Sequence, residues 1–424
     1  MQKNIQTNKL FVAGCLSLLV TSLSFGIRAG IMGKLGTEFN LDASELATIT
    51  ATAFWGFPVA VVIGGFIVDL IGMKRLLVLA FIFHLLGIVL TIFAQGYWTL
   101  FFSTLLIGIA NGTVEAACNP LVASLYPDNK TTRLNYFHLW FPGGIVIGTL
   151  LVLLFNNIGL GWQIQVGVMI IPTLIYGYLF SKLDFPPTER VAAGISTSDM
   201  YMALANPLFI FMIICMFGTA ITELFTNQWT DVFFKTVTNN AILILTFVAS
   251  IQVLGRAFAA PIVHRLAPQG VLLISAILSA LGMYLLIHLH GDAIFLAAII
   301  FGLGVAFFWP CMIGFVAENL PRTGAVGLNL MGGAGMFAVS VYMIFMGGYY
   351  DKLTLNHLPV GANLGNYVKA ADGSPMAQAF SQARGQAAPD VLNTTLIIPI
   401  ILIAAFGGLV LYMKAKRKKA VLAN

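Results

Sequence analysis

The run Asn111-Gly-Thr-Val-Glu115-Ala-Ala-Cys-Asn119-Pro120 puts an ionisable carboxyl, two carboxamides and a proline inside an apolar stretch long enough to cross a bilayer. A charge at the bilayer centre costs about 2.5–3.5 kcal/mol on insertion scales, so an acid kept there belongs by default to a substrate or proton pathway. Asn111, Glu115 and Asn119 are four residues apart and share one face of a helix. Such a polar stripe has to face water, protein or substrate instead of lipid.

Outward from that run, the composition is that of a polytopic membrane protein. Hydrophobic residues make up 59% of the 424 residues and charged ones only 9%, against about 25% charged in soluble domains; mean hydropathy is +0.91. Twelve apolar runs read as spanning helices, near 10–33, 45–69, 75–95, 97–125, 134–156, 162–182, 206–230, 240–263, 270–290, 293–318, 324–348 and 391–413. The net charge of +6 follows from topology. With the N-terminus inside, cytoplasmic segments hold most of the Lys and Arg, ending in Lys414, Lys416, Arg417, Lys418 and Lys419, as the positive-inside rule requires of a chain with both termini cytoplasmic. That terminal cluster reads as an anchor on anionic lipid, and no nucleic-acid partner is expected. Cys15, Cys118, Cys215 and Cys311 all fall inside predicted helices, where they act as small apolar fillers and not as a disulfide framework or zinc site. Val12-Ala13-Gly14-Cys15 looks like a lipoprotein cleavage box, but too few apolar residues precede it, and the first helix is read as uncleaved.

The chain is written twice. At an offset of 194 residues, Gly108, Val122, Ala123, Pro127, Leu134 and Asn135 meet Gly302, Val316, Ala317, Pro321, Leu328 and Asn329. Gly-rich runs follow each copy, Pro142-Gly143-Gly144 and Gly332-Gly333-Ala334-Gly335, so the fourth and fifth helices recur as the tenth and eleventh. The expected domains are a six-helix bundle over 1–183, a cytoplasmic linker over 184–204 with Pro186 and Pro187, and a second bundle over 205–424 with a flexible outer loop at 349–390. Parallel repeats of this kind place a transport site between the halves at the bilayer midplane.

Between helices two and three, Gly65-Phe-Ile-Val-Asp69-Leu-Ile-Gly72-Met-Lys74-Arg75 resembles the signature loop of the major facilitator superfamily, with Leu70 and Met73 at two of its basic positions. The resemblance implies that Asp69, Lys74 and Arg75 latch the cytoplasmic side. Gly108 through Pro120, then Leu134-Asn135, His138, Trp140 and Gly143-Gly144, with Glu223 and Trp229 further on, resembles the fucose permease and glucose/galactose transporter family of sugar:proton symporters. In the fucose permeases the fourth-helix acid is a protonation and sugar-binding site, which implies that role for Glu115. Those permeases carry a second essential acid in helix one, where this chain has Arg28.

The polar stripes complete the expected site. Ser17, Thr21, Ser24 and Arg28 line one face of helix one; Arg28 either binds an anionic substrate, holds Glu115 ionised, or snorkels to the interface. A carboxyl alternately desolvated and faced by a cation gains and loses a proton, which is what proton coupling needs. His138 reads equally as a proton acceptor or substrate contact and as a structural donor. Asn111, Asn119, Asn135, Glu223, Asn227, Gln228, Trp229, Gln252 and Trp309 are the remaining expected substrate contacts, amides for hydroxyls and aromatic faces for the C–H side of a pyranose. Arg256 and Glu318, near the predicted cytoplasmic ends of their helices, are expected in gating or a structural ion pair.

The fold class expected is all-α, twelve spanning helices in two pseudo-symmetric bundles. The function expected is proton-coupled uptake of a monosaccharide or sugar derivative by a monomer in the cell inner membrane. Alternatives are carriage of an organic anion or acidic sugar through Arg28, and a non-transporting sensor on the same scaffold. No phosphate-binding loop, metal-ligand cluster or nucleophile constellation is visible, so neither ATP-driven transport nor catalysis is expected, and no cofactor beyond the coupling ion, proton or sodium.

Overall fold

In hydrocarbon every backbone N–H and C=O has to be satisfied within its own segment, and the apolar runs fold as helices, with no strand among the described residues. The computed structural model describes residues 5–41, 43–227, 241–289, 291–368, 370–371 and 373–422; Gln228 and Trp229 lie outside them. The spanning elements of the first half are α1 (Thr7–Glu38), α2 (Ala43–Ile71), α3 (Met73–Ile92), α4 (Tyr97–Leu125), α5 (Lys130–Asn157) and α6 (Trp162–Lys182). Short linker helices Glu189–Ala192 and Thr197–Leu204 lead to the second half. That half comprises α7 (Pro207–Phe225), α8 (Ala241–Ala257), α9 (Ala259–His288), α10 (Ile294–Asn319), α11 (Gly324–Asn356) and α12 (Pro375–Leu422).

Eleven helices among the described residues are long and apolar enough to cross a bilayer; α8, with 17 residues, is shorter. Residues 259–266 carry α8 onward until Ala267, at φ 54° and ψ 163°, interrupts the helix. Residues 268–288 then form the ninth span. Gly72 makes the tightest reversal: α2 and α3 meet across this single residue at φ 86°, a left-handed value that favours glycine.

The repeat legible in the sequence is also a repeat of contacts. A Cβ on Gly108 would lie 2.8 Å from the Ala53 backbone, which lets α4 cross α2 closely; a Cβ on Gly302 would lie 3.0 Å from Ile251, at the crossing of α10 with α8. The two asparagines that open the repeated Leu-Asn segments both reach across the seam between halves. Asn135 Nδ2 donates to Cys311 Sγ at 3.6 Å, and Asn329 Nδ2 donates to the Ala116 carbonyl at 2.9 Å.

The halves meet through α2 with α11 and α5 with α8, and through the start of α5 with α10. At the end that carries the linker the seam is shut. Lys130 Nζ donates to the Ala317 carbonyl and to Glu189, each at 3.0 Å, and Glu318 accepts from the Thr131 N–H at 3.0 Å and its hydroxyl at 2.6 Å. Asp69 accepts from Arg190 and Thr188 of the linker, both at 2.5 Å, while Lys74 donates to the Leu183 carbonyl. Arg75 is exposed.

Two features differ from the expected layout. Residues 349–390 are largely helical: α11 runs on to Asn356, α12 begins at Pro375, and Leu364–Val368 adds a short turn between them. Alanine- and glutamine-rich sequence is good helix sequence, and here Ala387, Ala388 and Val391 of α12 bury a face against Met346 and Tyr350 of α11 and Phe225 of α7. The second difference is the last turn of α7, residues Ile221–Phe225, which is a π-helix centred on Glu223. The outer flanks expose Leu70, Phe93, Ile171, Ile214, Phe345 and Leu411, an apolar surface that lipid would cover.

Candidate functional site

Between the halves lies a cavity of about 460 Å³, within the range of small-molecule sites. It is walled by α1, α2, α4 and α5 on one side and by α7, α8, α10 and α11 on the other. It runs from Glu115, His138, Glu223 and Arg256 at its floor toward Met32 and Thr50, away from the linker. Phe25, Phe54, Phe57, Phe141 and Trp309 supply aromatic surface.

On the α4–α5 side the polar groups form a closed triangle. Asn119 Nδ2 donates to Glu115 Oε2 at 2.6 Å, which leaves Asn119 Oδ1 as the acceptor for His138 Nε2 at 2.9 Å. A neutral His138 therefore carries its proton on Nε2, and its bare Nδ1 faces Glu115 Oε1 at 3.8 Å. The carboxyl thus has an amide donor on one oxygen and an imidazole lone pair near the other. This triangle can accommodate either protonation state of Glu115 by moving a single proton, with no partner left charged and alone.

The α7–α8 side is built around an ion pair. Arg256 is buried and spends all three nitrogens: Nε donates to the Ala306 carbonyl at 2.6 Å, Nη1 to the His138 carbonyl at 2.6 Å and Nη2 to Glu223 Oε1 at 2.9 Å. The guanidinium therefore ties the second half to the backbone of α5 in the first. The π-turn of α7 aims Glu223 at it; π-turns of this kind concentrate at functional sites. Among the described residues, the buried cavity atoms Glu223 Oε2, Asn227 Oδ1 and Gln252 Nε2 find no hydrogen-bond partner. Two acceptors and one donor left open in this way are what a polyhydroxylated ligand could satisfy.

Arg28 lines the cavity from α1, with Phe25 the aromatic ring beneath it at 5.6 Å. It makes no hydrogen bond or ion pair with any described residue and in particular none with Glu115, so the cation nearest to acting on the floor acids is Arg256.

The structure brings Arg28, Glu115, His138, Glu223, Asn227, Gln252 and Trp309 to the cavity, with Asn119 behind Glu115. It takes two expected contacts elsewhere. Asn111 lies wholly inside the first bundle, where its Oδ1 bonds His84 Nε2 at 2.7 Å, its Nδ2 donates to Ser24, and His84 Nδ1 continues to the Tyr176 hydroxyl at 2.8 Å. Asn135 sits at the seam, bonded to Thr131 and Cys311. Arg256 belongs to the cavity floor and not to the linker-end gate, where Glu318 does sit. The bond from Arg256 to the His138 carbonyl was not anticipated, although Gln252 and Arg256, four residues apart, signal a shared helix face.

Comparison with known proteins agrees with this architecture. The Major Facilitator Superfamily model matches residues 14–353. A D-xylose transporter of Levilactobacillus brevis is 24% identical over 174 residues, 41% of this chain and 38% of that protein. The chain's matches span 31% to 38% of the length of this and the next two curated relatives, about a third. The E. coli fucose:proton symporter FucP superposes with a TM-score of 0.66 at 14% identity, over 92% of this chain and 98% of that one. The proton:xylose symporter XylE, bound to 6-bromo-6-deoxy-D-glucose, gives 0.67 at 16% identity, over 90% and 94%. At these identities the structural likeness concerns the fold.

Proposed function

The chain belongs to the Major Facilitator Superfamily, and from that premise we propose that it takes up a monosaccharide or sugar derivative together with protons, by alternating access of one central site. The observation that carries the reading is the meeting, at a single cavity between the halves, of Glu115 and His138 from one half with Glu223 and Arg256 from the other. The open acceptors on Glu223 and Asn227, the donor on Gln252 and the indole of Trp309 suit a sugar, hydroxyls to the amides and carboxylate, C–H face to the ring. The names of the relatives, carriers of xylose and fucose, favour the same class.

The shut linker end is the cytoplasmic one on this reading, consistent with the Lys and Arg distribution, and the cavity faces outside. Glu115 takes a proton there, the sugar binds, and the halves rock so that Lys130, Thr131 and Asp69 release Glu189, Glu318 and Arg190. One unit of pH difference is a tenfold proton gradient worth about 1.4 kcal/mol, and a tenfold accumulation costs the same. A single proton per sugar is therefore enough for useful concentration.

The test is uptake by proteoliposomes with an imposed pH gradient across a panel of xylose, fucose, glucose, inositol and glucuronate, in sodium-free buffer. The parent should accumulate at least one of them, and Glu115→Gln should keep exchange while losing gradient-driven accumulation. Undiminished accumulation by Glu115→Gln removes that carboxyl from the mechanism, and a strict need for sodium replaces the coupling ion.

A further inference from the structure

Among the described residues, five titratable or charged side chains line the cavity: Arg28, Glu115, His138, Glu223 and Arg256, and the charge balance is theirs. Arg256 and Glu223 cancel each other in a direct ion pair, with the remaining guanidinium nitrogens on the Ala306 and His138 carbonyls. His138 is neutral when its Nε2 proton is given to Asn119 and its Nδ1 is bare. What remains is Arg28 against Glu115. With Glu115 ionised the cavity sums to zero, and with Glu115 protonated it carries one positive charge, located on Arg28.

Among the described residues that charge has no counter-ion. Arg28 bonds to no described residue, and its surroundings in the cavity wall are Phe25, Ala29, Met32 and Phe54. A guanidinium stays protonated, and an unpaired charge against apolar walls is costly. Snorkelling would relieve the cost by carrying the head out to an interface, yet Arg28 is half-buried and lines the cavity. Its planar fork matches a carboxylate.

From this we infer that the substrate is a monoanionic sugar, of the uronic or other sugar-acid class, whose carboxylate sits on Arg28 while its hydroxyls reach Glu223, Asn227 and Gln252. The inference rests on the sugar:proton reading and narrows it. A monoanion that enters with one proton leaves the loaded cavity neutral; a neutral sugar leaves it at plus one, and a phosphorylated dianion at minus one. Transport is accordingly electroneutral, one proton and one carboxylate together.

The experiment uses the full chain in proteoliposomes, with D-glucuronate, D-galacturonate, D-glucose, D-galactose and glucose 6-phosphate under an imposed pH gradient. A potassium diffusion potential is set separately with valinomycin. Expected are accumulation of a uronate, at least tenfold weaker competition by its neutral parent and by the phosphate ester, and an uptake rate unmoved by the diffusion potential. Arg28→Gln should lower uronate uptake at least tenfold, with Arg28→Lys restoring part of it.

Accumulation of a neutral hexose with no uronate transported or competing overturns the inference and leaves the sugar:proton reading standing. Failure of the whole panel, together with xylose, fucose and inositol, counts against both. Uronate uptake driven by the diffusion potential overturns the charge balance, and equal losses for glucuronate and glucose in Arg28→Gln overturn the anchoring role. If Arg28→Gln fails to fold, a uronate preference no stronger in the parent than in Arg28→Lys overturns it as well.

Discussion

Two acids face the same cavity from opposite halves, and their companions differ in kind. Glu223 is held by a guanidinium that is itself bonded to two backbone carbonyls, whereas Glu115 has an amide and an imidazole beside it. Protonating Glu223 would strand the guanidinium bonded to it; protonating Glu115 strands no group bonded to it and leaves only the charge of Arg28 elsewhere in the cavity. The comparison teaches that an acid with neutral neighbours can take up a proton without breaking an ion pair, whereas one bonded to a permanent counter-ion cannot.

The comparison is broken most forcefully at Arg256. Removing one partner of a buried ion pair costs about 3–5 kcal/mol, because the other charge is left alone. Arg256→Leu should therefore lower the unfolding temperature in detergent sharply and abolish transport. Arg256→Leu with Glu223→Gln should recover most of the temperature but not the transport, while Glu115→Gln alone should melt close to the parent. A melt of Glu115→Gln as low as that of Arg256→Leu would show that both acids are structural.

Next in size is the response to pH. On the proposed mechanism the loading form is protonated Glu115, so substrate affinity measured by competition binding should be high at low pH and fall as pH rises, at most tenfold per unit. Glu115→Gln should flatten the dependence and Glu223→Gln should keep it. The opposite assignment of slopes would exchange the roles of the two acids.

A smaller effect is expected where the halves are fastened. Glu318 accepts two bonds from Thr131 across the seam, and bonds to a charged group contribute about 1.5–3 kcal/mol. Glu318→Gln weakens but does not delete them, and distances between spin labels at the linker end should show the open population raised by about tenfold or less. The smallest effect compares the asparagines related by the repeat. Asn135→Ala and Asn329→Ala each remove one neutral cross-seam bond, about 1 kcal/mol apiece, and should shift that population equally. A change from one alone would mark the two halves as unequal hinges.

Much of this molecule is legible from residue order. The doubled glycines and Leu-Asn segments recur as matched contacts, Gly108 and Gly302 at helix crossings and Asn135 and Asn329 at the seam, because small residues let helices cross closely and an asparagine can reach a partner across the seam. The fourth-helix stripe divides for a reason of geometry: α4 is 29 residues long, and successive turns look onto different neighbours. Glu115 and Asn119 meet α5 and the cavity, whereas Asn111, one turn earlier, meets His84. Periodicity names a face without saying what stands opposite at each level. Arg256 was set too near the membrane edge because α8 continues to residue 266, past the hydropathy boundary, leaving the arginine deeper. Residues 349–390 carry the glycine and polar content of a loop, yet alanine and glutamine favour helix and one face is apolar. The partner of Arg256 could not be read at all, since nothing local ties residue 256 to the carbonyl of residue 138.

All four cysteines are buried, and Cys311 alone lies on the seam, under the Asn135 amide. A thiol covered while the halves are pressed together and bared when they part makes the native chain its own reporter. Alkylation from the linker side would record, once per molecule, the first excursion to the other conformation, with no label engineered in.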